Sequence, residues 1–337
     1  MAKLNVTYMG LSLNSPIVIG ASNLVEKENS LRQLQENGAG AVVFKSLFEE
    51  QLHLEDLEMS EITDEMDNRH PEMPDMFPDI EHGGSREHIH KFKNARKILD
   101  IPLIASINAV YKESWPVFAK EFEKAGADGL ELNFYAVPSS FDKSSAEIEE
   151  EQVEIVREVK KAVNIPVSVK LSSQYANILN LVKRMDDAGA EAFVLFNRLF
   201  EPQIDTKKEE HVVNFELSEP GDQRQALRFA GLLYDNIKAD IVSSGGIFEA
   251  SDIASMILAG ADSIQMVSAV YMHQPAHVAK QLKELDAWME KHNYGSLEDF
   301  KGKLSQKNVS DNRIYKRAQY VDLLLKADSV FKKYPMP

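Results

Sequence analysis

Short apolar, β-branched runs alternate along the chain with longer segments in which apolar residues recur every three or four positions. Such alternation predicts repeated strand–helix units whose strands lie parallel in one sheet. Eight units follow one another, the number that closes a (β/α)8 barrel (TIM barrel) of the α/β class. The predicted barrel strands are 17–20, 41–45, 102–107, 129–133, 166–170, 192–196, 241–244 and 263–267.

Three segments between or before these units do not fit the repeat. Residues 5–13 alternate between polar and apolar and predict an N-terminal hairpin at the barrel floor. A long loop rich in Glu, Asp, Met and Pro, 46–85, follows the second strand, and its length favours a lid. An insertion at 199–220 contains a strand-like stretch, 211–217.

The end of the chain has no further strand–helix unit and is predicted to be helical. We therefore expect one domain, 1–337, that consists of a barrel over 5–292 and a helical C-terminal extension, 293–337, packed on the barrel. A chain of this length can bury a core large enough to be stable without a disulfide or a metal.

The composition excludes several kinds of site and partner. The 337 residues carry a net charge of −15 and no long run of Lys or Arg, so we expect no nucleic-acid partner. Because there is no cysteine, disulfides, Cys-ligated metal centres and thiol nucleophiles are excluded. No apolar run is long enough to cross a bilayer, and no signal-like or membrane-docking segment begins the sequence. We therefore predict a cytoplasmic protein that does not bind membranes.

A group of three histidines could in principle bind a metal ion. His82, His88 and His90 lie near Glu81 and Glu87, and imidazole and carboxylate groups both bind metals. Their spacing matches no motif with a known mechanism, and the segment leads into a helix. We predict no metal site.

Polar residues stand where the predicted strands end. In (β/α)8 barrels these ends form one rim, and the active site lies on it. Two lysines and two asparagines are therefore expected to converge there. The strand-end residues are Ala21 and Ser22, Lys45 and Ser46, Asn133, Lys170, Asn197, Gly245 and Gly246, and Val267 and Ser268.

The pair Gly245–Gly246 after the seventh strand favours a phosphate site. Glycine lets backbone N–H groups approach an anion, and the start of the following helix adds a favourable dipole. Ser268 after the eighth strand completes the phosphate site usual in this class of barrel. An isolated Gly-Gly pair is equally consistent with a tight turn, so the prediction depends on its combination with Ser268.

The two lysines and two asparagines each have an ordinary alternative. Lys170 fits a Schiff-base lysine, an anion holder or a residue that extends to the surface, and a cation also stabilises the negative charge of a reduced flavin. Lys45 suits an anionic oxygen. Asn133 and Asn197 suit an imide or carboxylate, although a single strand-end asparagine more often caps the backbone. Their convergence carries the prediction.

Several short sequence motifs (phrases below) resemble those of the dihydroorotate dehydrogenase family and occur in the same order along the chain. Within the family they resemble the soluble, class 1-like proteins. The match covers about residues 5–290, and the ordered set is more specific than any one phrase. The phrases are 14–22 (NSPIVIGAS), Lys45-Ser46, Glu131-Leu132-Asn133, 169–171 (VKL), 244–247 (SGGI) and 260–266 (GADSIQM).

The resemblance implies a cofactor, FMN, and a set of residues for each ligand. It implies that Lys45, Asn68, Asn133 and Asn197 bind an orotate-like or dihydroorotate-like substrate, and that Lys45, Asn133 and Asn197 take part in catalysis. The surroundings of Asn68 depart from the family pattern. The FMN-binding residues implied are Ala21, Ser22, Lys45, Ser46, Asn133, Lys170, Gly245, Gly246, Val267 and Ser268.

The largest departure from the family lies three residues after Asn133. The family places a cysteine or serine there as the base that removes a ring proton, and this chain has Ala136, which accepts no proton. Tyr135, Ser139 and Ser140 are the candidates for a substitute base. A second departure is Arg198, which stands where the family has a small hydroxyl residue and is expected to add charge beside the substrate.

Three functions remain open at this point. The first is an FMN-dependent oxidoreductase of pyrimidine biosynthesis that transfers hydride between dihydroorotate, or a related cyclic substrate, and flavin N5. The second is a flavin-binding paralogue without dehydrogenase activity, and the third is a flavin-free phosphate-binding lyase or isomerase. For the first, the resemblance favours a soluble electron acceptor such as fumarate, and a homodimer is the default expectation.

Overall fold

A closed barrel of parallel strands forms the centre of the molecule in the computed structural model, which describes residues 2–51, 83–135, 141–325 and 332–333. Eight strands of this described part pair in parallel, and the last pairs with the first. In barrel order they are β3 (Ile17–Ile19), β4 (Ala41–Val43), β6 (Leu103–Asn108), β7 (Gly129–Asn133), β8 (Val167–Leu171), β9 (Ala192–Leu195), β12 (Asp240–Ser244) and β13 (Ser263–Met266). The predicted (β/α)8 fold is confirmed.

Helices follow the strands and cover the outside of the barrel. Their apolar faces pack on the strands, which are buried almost throughout because both of their faces are covered. The helices are α1 (Glu28–Glu36), α2 (Gly83–Ile98), α3 (Ser114–Lys124), α4 (Ser145–Ala162), α5 (Ile178–Asp187), α6 (Arg224–Leu233), α7 (Ala250–Ala259), α8 (Ser268–His273) and α9 (Ala276–Lys291). The short helix α8 was not predicted, because six residues give too little periodicity to detect.

The predicted N-terminal hairpin is present at the end of the barrel where the strands begin. Strands β1 (Val6–Tyr8) and β2 (Leu11–Leu13) pair antiparallel, and Tyr8 and Leu13 are fully buried. The turn places the amide of Met9 2.7 Å from Oδ2 of Asp240, the first residue of β12. This contact ties the hairpin to the barrel.

Asp240 gives the protein a pH-dependent stability. Burial and the neighbouring Asp262 raise the pKa of its carboxyl to about 6. Because the folded chain holds this proton to a higher pH than the unfolded chain does, the protonated carboxyl stabilises the fold at low pH. This stabilisation is lost as the pH rises from about 4 through 6.

We expect Asp240→Asn to stabilise the protein at pH 8 by about 1 kcal/mol, less than the full shift implies because the carboxyl is partly exposed. The amide oxygen of asparagine still accepts a hydrogen bond from Met9. Urea unfolding between pH 4 and 8 measures the effect, and Asp100→Asn, at an exposed carboxyl, is the matched control. A variant whose stability changes with pH as steeply as the wild type's contradicts the expectation.

The insertion after β9 differs from the prediction. A hairpin forms there from β10 (Gln203–Asp205) and β11 (Glu210–Val212), so the predicted strand 211–217 is present at 211–212 and wrong over 213–217. Alternating polar and apolar residues predict a strand, but the pattern does not show how far a partner strand extends beside it. Because β10 ends the pairing at Val212, residues 213–217 continue as a loop.

The predicted helical C-terminal segment is present, and its described part combines short turns with one longer helix. Its helical parts are short turns at Leu297–Asp299 and Asn312–Tyr315 and helix α10 (Ala318–Leu325). The backbone between them touches the barrel helices, since the Gly302 amide donates to the Ile257 carbonyl at 2.8 Å.

The long segment after the second strand is described only at its two ends. Strand β5 (Leu47–Phe48) pairs with β6, and α2 begins at residue 83, so most of the predicted lid lies outside the described residues. Glu49 anchors the near end, because its carboxylate accepts hydrogen bonds from the amides of Val110 and Tyr111 at 2.6 and 3.0 Å.

Candidate active site

A cleft opens at the carboxyl ends of the barrel strands, where the sequence places the site. Every predicted site residue that the structure describes lines this cleft, although they come from seven strands. These residues are Ala21, Ser22, Lys45, Ser46, Asn133, Tyr135, Lys170, Asn197, Gly245, Gly246, Val267 and Ser268. The predicted convergence on one rim is therefore observed.

The remaining predicted positions fall outside the described part of the chain. They are Asn68 in the segment after the second strand and Ala136, Ser139 and Ser140 after β7. Their roles stay predictions.

Hydrogen bonds join the two predicted asparagines directly. Asn197 donates through Nδ2 to Oδ1 of Asn133 at 2.6 Å, and Nδ2 of Asn133 donates to Oγ of Ser46 at 3.3 Å. Ser46 in turn lies 2.7 Å from the hydroxyl of Ser106 in β6. These bonds fix the orientation of both amides. Among the residues that the structure describes, the side-chain oxygen of Asn197 and one N–H of each amide have no further partner, so the pair presents donors beside an acceptor.

Lys45 is held at the side of the cleft by two neighbours. Its Nζ lies 3.1 Å from Oε1 of Glu26, and its carbonyl oxygen lies 3.0 Å from Nε2 of His88. Burial lowers the pKa of the His88 imidazole to about 4, so the ring is neutral near pH 7. A carbonyl only accepts hydrogen bonds, so Nε2 carries the proton. The ring also packs edge-on against Phe44 and Phe122, and His88 thus supports the backbone of Lys45.

Lys170 lies on the floor of the cleft and is almost completely buried, with 7% of its surface exposed. Its Nζ donates to Oε1 of Gln265 at 3.0 Å and lies 3.9 Å from Oε1 of Glu131. Of the three alternatives left open by the sequence, the surface lysine is wrong, because the side chain points into the barrel.

The backbone at Gly245 and Gly246 has the conformation that the phosphate prediction needs. Both residues have positive φ, +88° and +67°, which side chains other than glycine rarely adopt. A Cβ on Gly245 would meet no atom within 4 Å, whereas one on Gly246 would lie 2.7 Å from the Glu219 carbonyl oxygen. With respect to the described residues, the surface of Gly245 therefore faces open space, whereas Gly246 packs against the loop that contains Glu219.

The helix after these glycines contributes less than expected. Asp252 in the first turn of α7 accepts hydrogen bonds from the amides of Phe248 and Glu249, both at 2.9 Å. Those two amides are therefore not available to an anion. On the other side of the cleft, Ser268 begins α8, and its hydroxyl oxygen accepts from the Ser218 amide at 2.9 Å. In the part of the chain that the structure describes, the hydroxyl hydrogen of Ser268 has no acceptor and is available to a ligand.

Arg198 corrects one expectation. Its guanidinium lies 3.1 Å from Oδ2 of Asp222 and 3.7 Å from Oε2 of Glu216. Two carboxylates thus offset the positive charge that was predicted beside the substrate. The sequence around Arg198 could not show this, because both partners follow the β10–β11 hairpin.

Four aromatic side chains cover part of the cleft, and of these only Tyr135 is a candidate predicted from the sequence. Phe200 and Phe215 flank the β10–β11 hairpin with ring centroids 5.3 Å apart, and Phe215 also contacts Tyr271 of α8 edge-on at 6.1 Å. The phenol oxygen of Tyr135 accepts a hydrogen bond from the Phe200 amide at 3.1 Å, which links the end of β7 to the insertion. All four rings line the cleft.

Glu131 and Gln265 belong to the family-like sequence motifs but are not among the predicted site residues, and both are buried inside the barrel near the site. A simple signal was present in the sequence, since each stands two residues before a predicted strand-end residue. Side chains alternate along a strand, so Glu131 lies on the same face of β7 as Asn133.

A model of the family described as "Dihydroorotate dehydrogenase" matches residues 3–289 of the chain. The chain belongs to the dihydroorotate dehydrogenase family. This membership confirms the resemblance inferred from the ordered phrases. It also makes the chain a dihydroorotate dehydrogenase-like oxidoreductase of the class that acts on CH–CH groups, in a family of pyrimidine biosynthesis.

Curated relatives of this family match over almost their whole length. The protein named dihydroorotate dehydrogenase B (NAD(+)), catalytic subunit, of Thermoplasma volcanium is 27% identical over 313 residues, which are 90% of this chain and 98% of that protein. The protein of the same name from Methanothermobacter thermautotrophicus is 25% identical over 310 residues, which are 89% of this chain and 97% of that protein.

Among the helices that the structure describes, none is both long and apolar enough to cross a membrane.

Proposed function

We propose that the chain is an FMN-dependent oxidoreductase that transfers hydride between dihydroorotate, or a related cyclic substrate, and FMN bound in the cleft. The proposal rests on one observation, which is that three kinds of group line the same cleft. These are a glycine pair with left-handed backbone conformation, a buried lysine and a hydrogen-bonded asparagine pair.

These groups fit FMN chemically. The open face of Gly245 and the hydroxyl of Ser268 suit a phosphate, because backbone and hydroxyl donors reach an anion there without obstruction by a side chain. Lys170 supplies a fixed positive charge in a buried setting, which suits a group that becomes negative when it is reduced. When bound, FMN would supply the hydride acceptor at its N5 atom.

The chain's own residues would orient the substrate and keep water away from it. Asn133 and Asn197 offer donors beside an acceptor, the pattern that a ring imide or amide presents in complementary form. Lys45 would hold an anionic group of the substrate, because its ammonium belongs to the same cleft as the two asparagines. Phe200 and Phe215 would limit the access of water from the hairpin side. Asn68 stays a sequence-based candidate for the same ligand.

The absence of the family's usual base at position 136 favours a second candidate function. Ala136 stands where the family has its cysteine or serine, so proton removal needs another group or proceeds slowly. Of the three substitutes named from the sequence, Tyr135 is the one within the described residues, and it lines the cleft. A flavin-binding paralogue that does not oxidise dihydroorotate is therefore the alternative to the proposal.

For the electron acceptor we propose a soluble molecule. Fumarate follows from the resemblance of the sequence, whereas the names of the matched relatives contain NAD(+) and describe them as catalytic subunits. NAD+ reached through a second protein subunit is therefore an alternative to fumarate. The homodimer and the cytoplasmic location stay predictions from the sequence.

The assignment of the phosphate end can be tested by comparing two flavins. We expect the flavin-free protein to bind about one FMN per chain and to bind riboflavin, which lacks the phosphate, at least about 100-fold more weakly. Quenching of flavin fluorescence during titration measures both affinities. Equal affinity for the two flavins would contradict the phosphate site, and no binding of either would leave a phosphate-binding barrel that needs no flavin.

Gly245→Ala should weaken FMN binding at least tenfold, because its Cβ would enter the open space in which we place the phosphate. The matched control is Gly10→Ala in the turn of the floor hairpin. Gly10 also has a positive φ, +77°, and its Cβ would also meet no atom within 4 Å. Both variants should lose about 1 kcal/mol of stability from backbone strain. Equal loss of FMN affinity in the two variants would contradict the assignment.

A further inference from the structure

A buried carboxylate lies beneath Lys170 and is linked to it in two ways. Glu131 is fully buried in β7, and its Oε1 lies 3.9 Å from Nζ of Lys170. Its Oε2 accepts a hydrogen bond from Nε2 of Gln265 at 2.5 Å, and Oε1 of Gln265 accepts from Lys170 at 3.0 Å. Glu131 is therefore both the ion-pair partner of Lys170 and, through Gln265, part of its hydrogen-bonded support.

The chemistry of these three groups fixes their arrangement. An ammonium only donates hydrogen bonds and an ionised carboxylate only accepts them, so the Gln265 amide has a single orientation that satisfies both neighbours. With Glu131 ionised, the carbonyl oxygen of Gln265 must face Lys170. A neutral residue at position 131 would remove this restriction and the pull of the negative charge on the ammonium.

Lys170 lines the cleft, whereas Glu131 does not and is fully buried in the barrel. Gln265 also reaches the cleft wall. Because the two charges are buried, they are screened little by water or salt. Any change in how Lys170 is held therefore changes the field at the floor of the cleft.

We propose that Glu131 is a positioning residue that acts through Gln265 and Lys170 and lowers the reduction potential of the bound FMN. The inference rests on the proposed function, since it needs FMN in the cleft. Glu131 draws the ammonium of Lys170 toward the interior of the barrel and offsets part of its charge. Without this carboxylate, Lys170 stabilises the reduced, negatively charged cofactor more strongly.

The test is the midpoint potential of FMN in Glu131→Gln, which keeps the size and the acceptor oxygen of the side chain but removes its charge. We expect the ratio of reduced to oxidised FMN at a given potential to rise about tenfold, or about 30 mV for a two-electron couple. Dye-linked reduction without oxygen measures the potential. In the Lys170→Met background the same substitution should raise the ratio less than it does in the wild type, because the lysine through which Glu131 is proposed to act is gone.

Asp186→Asn is a matched control in the same fold. Asp186 is also a buried carboxylate with a lysine nearby, since its Oδ2 lies 3.5 Å from Nζ of Lys183, but it bonds the backbone of Lys238 and Ala239 away from the cleft. The Asp186→Asn substitution should leave the midpoint potential of the bound FMN unchanged.

The outcomes separate the inference from the function on which it rests. An unchanged or lowered potential in Glu131→Gln would overturn the inference alone, as would an equal rise in Asp186→Asn or in the Lys170→Met background. A wild-type protein that takes up no FMN would overturn the proposed function and the inference together.

Discussion

Replacing Ala136 by cysteine is expected to raise the rate at which dihydroorotate reduces the bound FMN by about 10²–10⁴. The family places its base three residues after the asparagine that corresponds to Asn133, and alanine at this position cannot accept a proton. A thiolate restores that function. The rate of FMN reduction in the Ala136→Cys variant should rise with pH, because a free cysteine has a pKa of about 8.5 and the thiolate is the base.

Stopped-flow loss of the oxidised flavin absorbance, without oxygen, measures this rate between pH 6 and 10. Ala188→Cys is the control, because it adds a thiol at the end of α5, on the opposite side of the barrel from the cleft. A cysteine at position 136 that gives no acceleration at any pH would mean that another residue already acts as the base, or that dihydroorotate is not the substrate.

Lys170→Met should have the second large effect. The variant removes the positive charge on the floor of the cleft and keeps an apolar chain of similar length. We expect reduction of FMN by substrate to slow by about 10²–10³, the usual cost of losing one fixed group that stabilises developing charge. The ratio of reduced to oxidised FMN at a given potential should fall at least about tenfold.

The matched control for this variant is Lys183→Met. Lys183 is also paired with a buried carboxylate, that of Asp186, but it lies in α5 outside the barrel and is about half exposed. Its loss should change neither the rate nor the potential. If Lys170→Met kept the wild-type potential, the lysine would not act on the cofactor, and its role would be confined to the stability of the barrel.

The parts of the site that depend on strand ends could be predicted from the sequence. Asn133 and Lys170 end two apolar runs, and the closure of the barrel brings neighbouring strand ends together whatever the loops do. Gly245 could be predicted for the same reason, because it directly follows β12. The ordered phrases added the identity of the ligand, which no strand end shows by itself.

The parts that depend on contacts between distant loops could not be predicted. Arg198 was expected to charge the cleft, but its partners Asp222 and Glu216 follow the hairpin and offset that charge. The aromatic contact between Phe215 and Tyr271 likewise joins an insertion to a short helix. Neither contact has a periodic pattern, so neither leaves a signal in the sequence.

His88 shows a third kind of limit. Its place near other histidines drew attention to metal binding, whereas its imidazole is neutral, packed on aromatic rings and bonded to the carbonyl of Lys45. Spacing alone does not distinguish a ligand from a buried support. The distinction depends on which groups α2 brings beside the second strand.

The most direct test of the proposed function is to add dihydroorotate, without oxygen, to the FMN-loaded wild type and the Ala136→Cys variant and to follow the visible flavin spectrum. We expect the wild type to lose its colour slowly and the variant to lose it about 10²–10⁴ times faster. A protein that binds FMN but keeps its colour in both forms would contradict oxidation of dihydroorotate and favour the paralogue without that activity.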